Sequence, residues 1–166
     1  MSVLDSRLRE RYIIPVDFLV AAEEEIPASE RRFGFAVLAI DCLLVETLGA
    51  FLEGLGETSG RSKEIFCRLL TSHPQFCNDF PQPLAEQFYD ELRCGVLHQA
   101  EIRGNSKLWS IGPLVQKVGD SLIVNRNEFH ERLKSVFADY LDQLRDPTNT
   151  QLRSRFRKKM DFIARA

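Results

Sequence analysis

The stretch Phe88-Tyr89-Asp90-Glu91-Leu92-Arg93-Cys94-Gly95-Val96-Leu97-His98-Gln99 decides how the chain is read. It places a permanent cation and a near-neutral titrating side chain with four residues between them. Leu84, Phe88, Leu92 and Leu97, with Tyr89 and Val96 beside them, predict a helix from about Leu84 to Ile102. Arginine holds phosphate through a two-pronged donor fork, and histidine moves a proton near neutral pH. Together they supply what RNA cleavage without a metal needs: a base, a cation for the charged phosphorane, and an acid for the leaving oxygen. On an ideal helix five positions rotate by about 500°, or roughly 140° net, so the two side chains are expected to diverge. A local bend at Gly95, or a site shared by two protomers of a symmetric dimer, would reconcile them.

Upstream, Ser72 to Pro83 reads as a loop with three prolines, Arg61 to Thr71 as a short helix, and Gly56 to Gly60 as another loop. The strongest pattern lies before these. Phe33, Val37, Ile40, Leu44, Leu48, Phe51 and Leu55 step by three and four and predict a central helix from about Glu30 to Leu55. Ser29 is its expected N-cap, and Gly54 with Gly56 its end. Asp41 shares a face with Leu38, Val45, Leu48 and Leu52. Either it sits half-exposed at the stripe's edge or it pairs with a cation from another helix, for which Arg93 is the candidate. Asp5 to Glu25 is expected to be helical and interrupted at Pro15.

Downstream of Gly104-Asn105 the period shortens. Lys107 to Ile111, Leu114 to Val118 and Ser121 to Val124 lean towards strands, and Gly119-Asp120 fits a two-residue turn. A small hairpin is expected over about 107–124. Asn125 with Glu128 resembles a capping box opening a helix with Phe129, Leu133, Val136, Phe137, Tyr140, Leu141 and Leu144 at core spacing. Asp146-Pro147 stops it. A last helix, about 148–164, carries Leu152, Phe156, Met160 and Ile163 on one side and Arg153, Arg155, Arg157, Lys158 and Lys159 mostly elsewhere.

The 166 residues suit one domain, 1–166, and twelve phenylalanines exclude a disordered chain. The net charge is −2, unevenly spread. From Thr148 onward six basic residues face one acidic residue, which leaves that segment at +5 and the remainder at −7. Such asymmetry marks either a basic arm for an anionic partner such as RNA or the solvated face of a terminal helix. The charged start, Met1 to Arg11, does not read as a signal peptide. Asp41, Glu46 and Glu53 argue against a membrane span in Phe33 to Leu55, and a cytoplasmic location is expected. Cys42, Cys67, Cys77 and Cys94 are then reduced thiols, most of them packing residues. Cys67, His73 and Cys77, with or without Cys94, match no zinc spacing, so neither metal nor cofactor is expected. His130 reads as a surface residue and Trp109 as core or interface. No phosphate-cradling glycine loop and no Ser-His-Asp order is present.

Phe88 to Gln99 resembles the signature helix of the HEPN superfamily: an arginine, four to six residues, then a histidine, in many members written Arg-x-Gly-Leu-Leu-His-Gln. The resemblance covers about fifteen residues and is topological elsewhere. It implies an all-α, HEPN-like helical bundle with a small β-hairpin insertion before the C-terminal helices. It also implies a homodimer whose two protomers build one cleft. Many members are metal-independent endoribonucleases of toxin–antitoxin and antiviral systems. By that resemblance Arg93 would hold the scissile phosphate and His98 transfer protons; Asp41, Cys94 and Gln99 are the candidate supporting residues. RNA is the implied substrate. A cognate antitoxin or a neighbouring nucleotidyltransferase-type protein is the implied partner. Where many members carry asparagine or aspartate directly after the arginine, this chain has Cys94. Other members only dimerise or bind nucleotides or RNA, and that is the alternative function.

Overall fold

In the computed structural model, which describes residues 2–165, the apolar stripe becomes helix α3 (Gly34–Glu53), the centre of a mainly α-helical fold. Val37, Leu38, Cys42, Leu44, Val45 and Leu48 are completely buried. By length and composition α3 could cross a membrane, with a mean hydropathy of 2.1, yet 61% of that span is buried inside the fold. The helix starts four residues later than expected. Ser29 lies in a 3-10 turn, Ala28–Glu30, and caps nothing. The buried Glu23 carboxylate instead accepts the backbone N–H of Arg32 and Phe33, and so fixes where the chain enters the helix. The far end closes on Gly54 at φ +68°, with Leu55 N–H reaching back 2.9 Å to the Ala50 carbonyl.

Before α3, α1 (Ser2–Leu8), a π-helical turn (Arg9–Ile13) and α2 (Ile14–Ala21) follow one another directly. Pro15 does not break this run. It falls in the first turn of α2, where its missing N–H costs little, and the π turn absorbs the irregularity. After α3, α4 (Ser62–Ser72) crosses closely at Gly49, where a Cβ would stand 2.3 Å from Ile65 Cγ2. The proline-rich loop is not peripheral. Phe76 and Phe80 are fully buried and join Phe88 and Phe129 in an aromatic cluster with ring centroids 5.0–6.3 Å apart.

The predicted helix over Leu84 to Ile102 appears as α5 (Gln82–Gln87), a π-helical turn (Phe88–Arg93) and α6 (Cys94–Gln99). It ends at Ala100, a non-glycine residue in the left-handed conformation at φ +54°. Beyond it the hairpin forms with its turn at Gly119-Asp120, as β2 (Val115–Val118) and β3 (Ser121–Asn125). The first β-leaning stretch, β1 (Lys107–Trp109), adds a parallel strand on the other side of β3, giving the order β1-β3-β2. The expected hairpin is therefore a three-stranded mixed sheet, held to the core through Leu122 and Val124.

Helix α7 (Arg126–Arg145) starts at Asn125, whose side chain accepts the N–H of Asn127 at 3.1 Å and of Glu128 at 3.3 Å. Only half of the capping box is made. Glu128 pairs with Arg132, and the Asn125 N–H goes to Leu114. Helix α8 (Thr150–Arg165) then packs on α3 and α7.

Candidate functional site

Arg93 ends the π-helical turn and His98 lies on α6, where Arg93 Nη1 and His98 Nε2 approach to 3.1 Å. The divergence expected from the helical wheel does not separate them. The helix changes from a π turn to an α-helix between Arg93 and Cys94, so the ideal α-helical wheel does not describe the angle between the two side chains. Gly95 has a different task. A Cβ there would stand 2.3 Å from the Glu101 carbonyl oxygen, because the chain turns at Ala100 and folds back along the helix. Arg103 N–H then donates to the Glu91 carbonyl at 2.9 Å. This tight return leaves His98 exposed at the helix end.

Arg93 is held from three sides. Its Nε donates to Glu46 Oε1 at 2.8 Å, its Nη2 donates to the same oxygen, and its guanidinium lies 5.0 Å from the centre of the Tyr89 ring. Burial opposes the charge on Arg93, but the Glu46 carboxylate outweighs it and raises the guanidinium's pKa. Only the Nη1 edge is left facing His98. Because a guanidinium only donates, Nε2 of His98 accepts in this contact and the ring proton sits on Nδ1. In this contact the Nε2 lone pair is taken up by Arg93, and it becomes free on the exposed histidine only when another acceptor, such as a phosphate, draws Nη1 away. Glu46 also lines an open groove of about 510 Å³ with Tyr12, Leu43, Thr58 and Lys159, so the groove runs from this site to α8.

Two of the expected supports, Asp41 and Gln99, are engaged elsewhere. Cys94 is half-buried against the core, and Gln99 accepts from Arg103 Nε at 3.1 Å. Asp41 neither sits at the edge of the stripe nor meets Arg93. It is 1% exposed, and its Oδ1 lies 2.8 Å from His130 Nδ1. His130, expected at the surface, is equally buried. Its Nε2 lies 3.3 Å from Asp17 Oδ1, which Lys134 Nζ also reaches at 2.9 Å. The interior of α7's first turn needs a polar side chain opposite Asp41, and that need overrides histidine's surface preference. Burial pushes the Asp41 carboxyl up to about 6. Burial alone would lower the His130 imidazole, but the hydrogen bond it donates to Asp41 and the nearby carboxylates raise it overall.

The basic face of α8 divides in two. Arg153 Nη1 donates to the Leu144 carbonyl at 2.7 Å, Arg155 Nη1 to Leu52 at 3.1 Å, and Lys159 Nζ to Gly56 at 2.6 Å. These three cations satisfy carbonyls at or just beyond the C-terminal ends of α7 and α3, where positive charge is favourable. Burial lowers the Lys159 ammonium. Arg157 and Lys158 are exposed.

Glu46 is the partner that sequence reasoning missed. Asp41 and Glu46 are five residues apart, so they face directions about 140° apart on α3. Which of them meets Arg93 depends on the face against which α6 packs, and periodicity within α3 does not reveal that. Compared with known proteins, the chain matches no family model, no curated protein and no solved structure.

Proposed function

We propose that the chain is a metal-independent endoribonuclease of the HEPN type. On this reading it works as a cytoplasmic homodimer in a toxin–antitoxin or phage-defence setting, with a cognate antitoxin or a nucleotidyltransferase-type protein as its neighbour. The observation that carries it is the 3.1 Å contact between Arg93 Nη1 and the exposed His98. Once the scissile phosphate takes over the Arg93 Nη1 donor, the freed His98 Nε2 takes the proton of a ribose 2′-hydroxyl. The freed oxygen attacks the adjacent phosphorus, and Arg93 neutralises the charge that builds on the phosphorane. The bond to the 5′-oxygen breaks, and that oxygen leaves with a proton from an imidazolium, His98 of the same or of the second protomer. The products are a 2′,3′-cyclic phosphate and a 5′-hydroxyl.

A second reading rests on Glu46, which engages two of the three guanidinium nitrogens of Arg93 and neutralises it. A guanidinium so engaged suits a catalytically silent module for dimerisation or for nucleotide or RNA binding. Purified protein incubated with RNA in EDTA separates the two. Cleavage to cyclic-phosphate ends, lost in well-folded His98→Ala and Arg93→Ala, supports the nuclease. Intact RNA with well-folded wild type across several substrates sinks it and leaves the second reading.

A further inference from the structure

A separate cavity of about 280 Å³ opens between the start of α3 and the β1 edge of the sheet. It is lined by Arg31, Gly34, Leu108, Trp109, Ile111 and Arg126 among others. Gly34 is the first residue of α3, whose first-turn N–H groups have no partner within the helix and carry its positive end. Arg126 is 2% exposed and pairs with the buried Glu23 through Nη2, while its Nη1 is buried without any hydrogen-bond partner. That Nη1 lies against Gly34, where an added Cβ would stand 3.2 Å from it. An unsatisfied guanidinium donor in a protein interior is costly, and it marks a place for an acceptor.

The charge count at this cavity is positive. Glu23 balances Arg126. Arg31 donates only to neutral acceptors, the carbonyls of Ile26 and Glu24 and the Ser110 hydroxyl, and has no carboxylate partner among the described residues. Leu108, Trp109 and Ile111 form the apolar wall, with Ser29 and Ser110 at the cavity beside them. Trp109 is 44% exposed and Ile111 54%, although both belong to the large hydrophobic side chains that folding normally covers.

We infer that this cavity is a binding site for a small monoanion with a flat apolar body, of which an aromatic carboxylate is the simplest form. The carboxylate sits between Arg31, Arg126 Nη1 and the first turn of α3. The ring lies along Trp109, Leu108 and Ile111. The volume fits one or two rings and excludes a long chain. This site is independent of Arg93 and His98 and does not rest on the ribonuclease reading.

The chain has one tryptophan, so the test reads the cavity directly. Benzoate is titrated into the full chain while the fluorescence and the indole N–H resonance of Trp109 are followed. Benzyl alcohol supplies the ring without the charge, and acetate the charge without the ring. The expected result is a saturable benzoate response, with benzyl alcohol weaker by about tenfold or more for want of the charge-assisted hydrogen bond, and acetate by a similar factor for want of the buried ring. Arg31→Gln, at a half-buried loop position, should weaken benzoate by about tenfold while leaving the indole resonance dispersed. No saturable response to millimolar benzoate overturns the proposal. So does a response matched by benzyl alcohol, or one unchanged in folded Arg31→Gln.

Discussion

Helix α3 carries two carboxylates five residues apart, and each holds a basic partner from another helix. Asp41 meets His130 in a sealed interior, where both side chains are 1% exposed. Glu46 meets Arg93 where both side chains are 11–12% exposed, and Arg93 hands on to an exposed His98. Both regions pair an acid with a base, but only one leads to a histidine exposed to solvent. The sealed pair links α3 to α7 and tolerates no loss. The open one leaves His98 outside the packing. Residue type does not separate structure from chemistry here; access does.

The largest expected effect lies on the sealed side. His130→Ala leaves Asp41 buried without its partner, and Asp41 Oδ2 already lacks a hydrogen bond. Breaking a buried pair by removing one member costs about 3–5 kcal/mol, to be measured by urea denaturation. His98→Ala in the same experiment should stay within about 0.5 kcal/mol of wild type, as for exposed positions generally. Equal losses in the two variants would erase the distinction between the regions. The sealed pair also sets a pH dependence. The Asp41 carboxyl titrates above its unfolded value, so between the ordinary aspartate range and about pH 6 the folded protein binds more protons than the unfolded chain. His130 is also raised, so its contribution is present below the unfolded histidine value and lost as pH rises through its folded value. Both act in one direction: stability falls as pH climbs from about 4 through neutrality. In His130→Ala the part of that slope above pH 6 should disappear from denaturation curves taken across pH.

On the open side the expected effect is on rate. His98→Ala should lower RNA cleavage by about 100-fold or more, the scale of one general base. Circular dichroism should stay unchanged. Asp41→Asn, which perturbs the sealed pair, should change stability and leave the cleavage rate of the folded fraction near wild type. A rate loss in folded Asp41→Asn as large as in His98→Ala would mean that the two regions are coupled. Glu46→Gln is a smaller step. It keeps a hydrogen-bond acceptor for Arg93 but removes the countercharge. If Glu46 only positions Arg93, cleavage falls by about tenfold. If Glu46 silences Arg93, activity or RNA affinity rises instead. The sign of that change chooses between the two proposed functions.

The comparison also shows what one dimension of sequence reveals. Period and punctuation placed α3, α7 and α8, the turn at Gly119-Asp120 and the cap at Asn125, because each is fixed by residues within a few positions of one another. What eluded the sequence was set by contacts over long separations. The parallel strand β1 pairs with β3 across the hairpin. Glu23 caps α3 from the preceding segment. Asp41 reads from sequence as either a half-exposed edge residue or the partner of Arg93; it is buried, and its partner lies 89 residues on, at a histidine whose place near a helix start suggested solvent. Arg93 and His98 were visible as a pair; Glu46 was hidden among apolar neighbours.

The smallest effect sets the same contrast on α8. Arg153 ends in a carbonyl at the close of α7, whereas Arg157, four residues on, is exposed. Arg153→Ala should therefore cost about 0.5–1.5 kcal/mol in denaturation, one partly buried hydrogen bond at a helix terminus. Arg157→Ala should cost almost nothing. For RNA the order reverses if the helix tracks phosphates. A cation already bound to a carbonyl releases few counterions from the nucleic acid, while a free one releases its full share. Arg157→Ala and Lys158→Ala should each flatten the slope of log affinity against log salt by about 0.7 for a single strand, and Arg153→Ala by less. Slopes unchanged in all three variants would make the basic face of α8 a capping and solvating surface, and would confine any RNA contact to the groove between Glu46 and Lys159.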